Sequence, residues 1–295
     1  MDYPDLLCTE GLLNSGAVDC LWWGGGFARP VVEALRMAQH GYSSESLHAA
    51  LPDRAVVSCF SVHFPSLMAR LSGSDGRYIV VSRDMDPGLR DEVWPSCVHH
   101  IFAISVAEAN LRVTPIPSGF QAFWDGVPNV ALARRDRVAR VMVSHSLDNP
   151  KSNHWPGYKE RFTSIEYFRD KPWASVSEKL LGWATRESDI AQPWPAPEYR
   201  DKLRAHDYLV VPVGYGIERA AGWEAMAFGT IPICCRRPEL LHFSDMPIAF
   251  VDDWSDVTPE WCDANLLLRQ RSTEKLKLSY WVERIREKRA EIGLV

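Results

Sequence analysis

Short apolar segments alternate with amphipathic segments along most of the chain, and this alternation limits the folds available to it. Residues 55–62, 77–82 and 99–106 are short apolar runs, which predict buried strands. Residues 175–184 and 218–228 instead repeat apolar positions at helical spacing, which predicts amphipathic helices. Strands that alternate with helices are typical of parallel sheets covered by helices. The sequence therefore predicts the α/β fold class.

The length of the chain allows one large α/β domain or two domains of about 130 residues each. Its 295 residues reach the size at which a single hydrophobic core usually stops growing. A basic cluster at 133–140 precedes a new apolar run, and we place a boundary there. We expect one Rossmann-like domain over 1–135 and a second over 136–271. The tail, 272–295, mixes apolar and charged positions and predicts a surface helix that packs back toward the first domain.

The composition excludes several kinds of protein. A net charge of −5 gives no electrostatic argument for nucleic-acid binding, which would require a basic face. Seven cysteines without a C-x-x-C pair argue against a zinc site and a disulfide framework, and favour a reducing compartment. The first residues lack the features of a signal peptide, and no stretch approaches the roughly 18 apolar residues of a membrane span. We therefore expect a cytoplasmic protein without stable membrane insertion.

A glycine-containing connection lies in the stretch VGYGIERAAGWEAMAFGTIPICC, residues 213–235. A buried strand is predicted to end at Val213, and a helix is predicted to begin near Glu218. Glycines let backbone N–H groups approach a ligand closely, and the start of a helix favours an anion such as phosphate. The candidate ligand-binding residues of this connection are Gly214, Tyr215, Gly216, Ile217 and Arg219.

Glu224 lies about two turns into the predicted helix. A carboxylate at such a place can accept hydrogen bonds from both hydroxyls of a ribose, as acidic residues do in nucleotide sites. The alternative is that the glycines only form a tight turn and that Glu224 is solvated. The spacing alone leaves both interpretations open.

Residues 207–258 resemble the C-terminal domain of the exostosin-like glycosyltransferases, family 47 and its relatives. The family pattern runs P-x-G-x-G-x-D-x-x-R-x-W-E-A-L-x-x-G-x-I-P, followed after a variable loop by L-P-(V/I)-x-x-V-x-D-W. Among the departures from it, Glu218 stands at the aspartate and Ala221 stands at the arginine. The matching residues are Pro212, Gly214, Gly216, Trp223, Glu224, Ala225, Gly229, Ile231, Pro232, Pro247, Asp253 and Trp254.

The resemblance implies a GT-B-like fold, in which two Rossmann-like domains face a cleft. It further implies a glycosyltransferase that moves a sugar from a nucleotide-diphosphate donor, a UDP-sugar in our interpretation, to a hydroxyl of a glycan acceptor. The donor would lie on the second domain, with Glu224 on the ribose and the glycine connection on the phosphates. The acceptor would lie on the first domain. No cofactor and no divalent metal are expected.

The replacement of the family arginine by Ala221 bears on the donor phosphates. Arg219 is the nearest other cation, two positions earlier and roughly 200° away around a helix. It can replace the family arginine only if the helix starts later than near Glu218. The same replacement motivates an alternative function, a non-catalytic carbohydrate- or nucleotide-binding protein on a transferase scaffold.

Three residues that follow predicted strands are candidates for a catalytic base. Asp84 and Asp86 come after the run at 77–82, and His63 comes after the run at 55–62. Ligands of open parallel sheets bind beyond the carboxyl ends of the strands. A carboxylate or histidine there can take the proton of the acceptor hydroxyl in an inverting enzyme.

Asp84 and Asp86 have two further interpretations. An aspartate before Pro-Gly often only forms a turn. An Asp-x-Asp after a strand also resembles the metal site of the single-domain GT-A glycosyltransferases, and such hard oxygen ligands suit Mn²⁺ or Mg²⁺. A metal-dependent glycosyltransferase is therefore the alternative enzyme. The longer resemblance over 207–258 favours the metal-independent one.

Overall fold

The chain divides into two compact units in a computed structural model. The N-terminal unit comprises Pro4–Ser118 and Lys277–Val295, and the C-terminal unit comprises Met1–Tyr3 and Gly119–Leu276. The structure describes residues 7, 12, 15–22, 27–28, 54–59, 63–82, 94–107, 109–120, 139–145, 156–176, 196–213 and 217–293. Both units are α/β, with a sheet of mainly parallel strands, and both are compatible with a Rossmann-like fold.

The sheet of the N-terminal unit has six strands among the described residues, in the order β2-β1-β3-β4-β5-β6. Strands β1 and β2 are antiparallel, and the other neighbouring pairs are parallel. Because parallel strands must be joined by crossovers, this order requires connections that return over the faces of the sheet. The strands are β1 (Cys20–Trp22), β2 (Phe27–Ala28), β3 (Arg54–Cys59), β4 (Arg77–Ser82), β5 (Val98–Ala103) and β6 (Val113–Pro115).

A helix covers each face of this sheet. Successive residues of a strand point to opposite faces, so the buried residues of β3 divide between two cores. Val57 packs in the core with helix α1 (Phe64–Leu71), whereas Val56 packs in the core with the last helix of the chain. That last helix, Leu278–Glu291, contributes Trp281, Val282 and Ile285. The end of the chain thus completes the core of the N-terminal unit.

The sheet of the C-terminal unit has five parallel strands among the described residues, in the order β11-β10-β9-β7-β8. The chain runs from β7 to one edge at β8, and then returns to the other side of β7 for β9, β10 and β11. The strand order therefore reverses between β7 and β9, which makes this pair a topological switch point. The strands are β7 (Ala139–Val143), β8 (Ala174–Val176), β9 (His206–Val210), β10 (Ile231–Cys235) and β11 (Ala249–Val251).

Helices cover both faces of the C-terminal sheet. Right-handed crossovers put the helix between β7 and β8 on one face, and the helices that precede and follow β9 on the other. These helices are α2 (Pro156–Phe168), α3 (Ala196–Ala205), α4 (Ala220–Ala227), α5 (Pro238–Leu241) and α6 (Pro259–Asn265), and the last helix of the chain, Leu278–Glu291, is α7. Short 3-10 turns lie at Trp254–Asp256, Leu266–Gln270 and Glu274–Leu276.

Among the described residues, one predicted helix has a different type of secondary structure at its start. The helix expected over 175–184 begins in a strand, because Ala174–Val176 pairs with Val141–Val143 of β7. The rest of that segment, from 177, lies outside the described residues. A strand of three residues at the edge of a sheet is too short to show a period, so its sequence reads as the start of the following amphipathic segment.

Candidate functional site

Charged and polar side chains gather at the switch point of the C-terminal unit. His145 follows β7, and Val213 follows β9. Arg161 of α2 joins them, since its Nε donates to the carbonyl of Val213 at 2.9 Å and its own carbonyl lies 3.2 Å from His145 Nε2. Ligands of doubly wound sheets bind beyond the carboxyl ends of the strands at such a point. We therefore take this edge of the sheet as the candidate site.

His145 is enclosed in this cluster. Its Nε2 lies 3.1 Å from Ser164 Oγ, and its buried Nδ1 has no hydrogen-bond partner among the described residues. Burial, together with the positive charges of Arg219 and Arg161, lowers the pKa of His145 to about 3. The imidazole is consequently neutral at physiological pH. A neutral imidazole can exchange hydrogen bonds but carries no charge with which to bind an anion.

Two arginines give the site its positive charge. Burial and the positive charge of Arg219 lower the pKa of Arg161 to about 10, although Glu160 opposes the shift. Burial also lowers the pKa of Arg219, against the attraction of Tyr199 and Glu224. A pKa near 10 leaves the Arg161 guanidinium protonated at neutral pH. We take Arg219 as cationic too, because an arginine guanidinium keeps its proton in proteins. Guanidinium groups in a partly dehydrated site are well suited to binding phosphate oxygens.

Arg219 immediately precedes α4, which begins at Ala220. The helix thus starts later than the position near Glu218 expected from the sequence. Arg219 itself has an extended backbone, with φ −131° and ψ 131°, so its direction is not fixed by the helical repeat. Because the helix starts after Glu218, Arg219 meets the condition for replacing the arginine that the exostosin-like pattern has at the position of Ala221.

Glu224 points into the protein rather than into solvent. It lies in α4 with 4% of its surface exposed, and burial raises its pKa to about 8 although Arg219 and Arg200 both lower it. Glu224 also affects Tyr199 of α3. Burial raises the pKa of the Tyr199 phenol, and the negative charge of Glu224 contributes to the same shift. Glu224 is therefore not the solvated side chain of the alternative interpretation. It belongs to a cluster with Arg219, Arg200 and Tyr199 between α3 and α4.

A small apolar hollow lies beside this cluster. Its volume is about 20 Å³, and Ile217, Arg219, Gly222 and Trp223 are among the residues that line it. Such a volume is comparable with a single water molecule and is too small for a nucleobase or a sugar. The hollow is best described as incomplete packing under the start of α4.

The predicted site residues fall into three groups. Ile217, Arg219 and Glu224 come together at the start of α4. His63 is half-buried at the start of α1 in the N-terminal unit, where its carbonyl accepts a hydrogen bond from Ser66 Oγ at 2.8 Å. The predicted residues outside the described part of the chain are Asp84, Asp86, Gly214, Tyr215 and Gly216.

Sequence reasoning missed several residues of the cluster. Glu160 and Arg161 are adjacent residues of α2, and Tyr199 and Arg200 are adjacent residues of α3. Neither pair shows a motif or a special spacing, and charged residues in a helix normally face solvent. The burial of Arg161 and Arg200 follows from the packing of their helices at the switch point, which no local pattern reveals.

No protein-family model matches the chain, and a search of curated proteins found no significant match. Among the described residues, no group of three or more His, Cys, Asp or Glu side chains is arranged to hold a metal ion. None of the described helices combines the length and the apolar character needed to cross a membrane.

Proposed function

We propose that the chain is a GT-B glycosyltransferase that moves a sugar from a nucleotide-diphosphate donor, a UDP-sugar in our assignment, to a hydroxyl of a glycan acceptor. The observation that carries this proposal is the pair of cationic side chains, Arg161 and Arg219, at the switch point of a parallel sheet. Together with the ordered resemblance over 207–258, it favours a donor diphosphate as the ligand.

Arg219 is assigned to the diphosphate. Its position directly before α4 also puts it next to the first backbone N–H groups of a helix, which favour anions. Negative charge develops on the leaving diphosphate during sugar transfer, and fixed positive groups stabilise that charge in the transition state. This assignment needs no metal ion, in keeping with the expectation from the resemblance.

Glu224 is assigned to the orientation of Arg219. Its side chain is 4% exposed and burial raises its pKa to about 8, while Arg219 and Arg200 favour its ionised form. Direct contact with a ribose, as the resemblance implies, would require a more accessible carboxylate. A buried carboxyl group beside a guanidinium restricts the positions open to it, which reduces the entropy lost when that guanidinium binds phosphate.

A second candidate is nucleotide or carbohydrate binding without catalysis. Ala221 favours it, because α4 carries no arginine at the family position. The two candidates differ in one measurement, the release of UDP in the presence of an acceptor. A protein that binds a nucleotide but never turns over a UDP-sugar fits the second candidate only.

Calorimetry of the purified protein against UDP, GDP and CDP, with and without Mn²⁺, tests the proposal. We expect micromolar binding of one nucleotide, independent of Mn²⁺. Arg219→Ala should weaken this binding roughly 10- to 100-fold, as expected for the loss of a charge-assisted hydrogen bond. Arg169→Ala is the matched control, because Arg169 is exposed and follows α2. Binding of none of the three nucleotides would contradict the proposal.

Transfer activity separates the metal-independent enzyme from its alternative. We expect acceptor-dependent release of UDP to continue in EDTA. Activity that disappears in EDTA and returns with Mn²⁺ would instead favour the metal-dependent enzyme with Asp84 and Asp86 as ligands.

A further inference from the structure

The hydrogen-bond ladder of β9 ends just before the candidate site. The N–H of Val211 still donates to the carbonyl of Ile233 at 2.9 Å, as in a strand. Pro212 follows and has no N–H group, so it cannot continue to donate to the ladder. The backbone groups of Val213 consequently need partners from outside the sheet, because buried N–H and C=O groups are normally paired.

Two adjacent residues of α2 supply these partners. Glu160 Oε1 accepts the N–H of Val213 at 3.0 Å, and Arg161 Nε donates to the carbonyl of Val213 at 2.9 Å. Both polar backbone groups of one residue are therefore held by neighbouring side chains of a single helix. We call this arrangement the Val213 clamp.

The clamp rests on a well-anchored helix. Ile165 and Phe168 of α2 are buried in the core formed with β7 and β9. The other carboxylate oxygen of Glu160 accepts a hydrogen bond at 2.5 Å from Nη2 of Arg237, a residue just after β10. The backbone carbonyl of Glu160 accepts a hydrogen bond from Trp254 Nε1 at 3.1 Å. Both oxygens of Glu160 are thus engaged, and the carboxylate links the ends of β9 and β10.

We infer that Glu160 and Arg161 are positioning residues. They fix the backbone of Val213, where the chain leaves β9 on the way to Arg219. The other end of that connection is fixed by α4, whose Ala220 and Trp223 are buried. With both ends held, Arg219 stands in one place relative to the sheet. The consequence for ligand binding rests on the proposed function, whereas the clamp itself does not.

Three variants distinguish the effect of losing the Val213 clamp from the effect of losing the ion pair between Glu160 and Arg237. Glu160→Ala removes the acceptor of Val213 N–H and the partner of Arg237. Glu160→Gln keeps an amide oxygen for Val213 N–H but loses the charge, and Arg237→Ala removes the ion pair alone. Glu166→Ala is the matched control, since Glu166 is exposed on the same helix.

Hydrogen exchange of the Val213 amide, measured by NMR without ligand, reports on the clamp directly. We expect exchange at least about tenfold faster in Glu160→Ala, relative to the Val210 amide as a reference for global unfolding. Glu160→Gln and Arg237→Ala should remain close to wild type, as should Glu166→Ala. Unchanged exchange in Glu160→Ala would overturn the inference, as would equal acceleration in Glu160→Gln.

Calorimetry of the same variants against UDP, GDP and CDP tests the consequence for binding. Affinity for the bound nucleotide should fall roughly tenfold in Glu160→Ala and be restored in Glu160→Gln. Faster exchange at Val213 with unaltered affinity would refute the positioning role in ligand binding. If the wild type binds none of the nucleotides, the proposed function fails, and the exchange data still decide whether the clamp exists.

Discussion

Arg289 Nη1 lies 3.2 Å from Asp19 Oδ1, so an ion pair connects α7 with the residue that precedes β1. The second carboxylate oxygen of Asp19 accepts the N–H of Val56 at 2.7 Å, which ties the same contact to β3. Arg54 and Arg77 donate to the carbonyls of Gly293 and Ile292 at the end of α7. Residues of α7 and of the turn after it therefore contribute contacts that stabilise the N-terminal unit.

Ile285→Ala tests this dependence. Ile285 is fully buried in the core that α7 forms with β3, β4 and β5, and we expect the substitution to lower the free energy of unfolding by about 2–4 kcal/mol. Urea denaturation followed by circular dichroism gives the value. Arg286→Ala, at the adjacent exposed position, should change it by less than about 0.5 kcal/mol. Equal effects of the two substitutions would show that α7 does not cover the sheet.

Two glycines near α4 should respond to alanine in opposite ways. Gly222 lies inside the helix, and a Cβ there would come no closer than 3.5 Å to Val211, an ordinary contact. Since alanine is the better helix former, Gly222→Ala should stabilise the protein by about 0.5–1 kcal/mol.

Gly229 follows the helix with φ +73°, a backbone conformation that disfavours a side chain although no atom lies within 4 Å of the added Cβ. Gly229→Ala should therefore destabilise the protein by about 1 kcal/mol. Thermal unfolding of both variants gives the comparison. A loss of stability in both would show that Gly222 is needed for packing rather than tolerated in the helix.

The strands were easier to predict from the sequence than the site. The run at 77–82 coincides with β4, because a strand buried on both faces is apolar at nearly every position. The helix predicted over 175–184 was wrong at residues 175 and 176, which belong to the edge strand Ala174–Val176, since three residues contain no readable period. Fold class follows from many such segments together, so one error among them does not change it.

The candidate site depends on contacts between distant residues. Glu160 and Arg161 meet Val213 from 53 and 52 positions away. The glycine spacing predicted a ligand site in the connection after β9. This spacing does not indicate which helix packs beside that connection. Arg219 was recognised in the sequence, whereas its position before α4 could be known only from the start of the helix at Ala220.

His145 should make the protein sensitive to acid. Its pKa is lowered from 6.5 to about 3 in the fold, so the unfolded chain binds a proton there between these values and the folded chain does not. The stability contributed by the neutral imidazole is present above pH 6.5 and is lost as the pH falls toward 3. His145→Gln should flatten this part of the stability curve.

The test is the free energy of unfolding in urea at pH 7.0, 5.5 and 4.5. Ser164→Ala is the control, because it removes the hydroxyl beside Nε2 and keeps the imidazole, and it should retain the acid dependence of the wild type. Parallel curves for wild type and His145→Gln would contradict the prediction.

Glu224 should act in the opposite direction, at higher pH. Its pKa is raised from 4.5 to about 8, so the folded state holds a proton that the unfolded state has released between these values. Stability therefore declines as the pH rises from 4.5 to 8 and changes no further above that. Glu224→Gln has no proton to lose, so it should gain stability relative to the wild type over this range. Urea denaturation at pH 5.5, 7.0 and 8.5 measures that gain, with Glu166→Gln at an exposed position as the control. A difference between wild type and Glu224→Gln that stays constant with pH would mean that Arg219 and Arg200 keep the carboxylate ionised throughout.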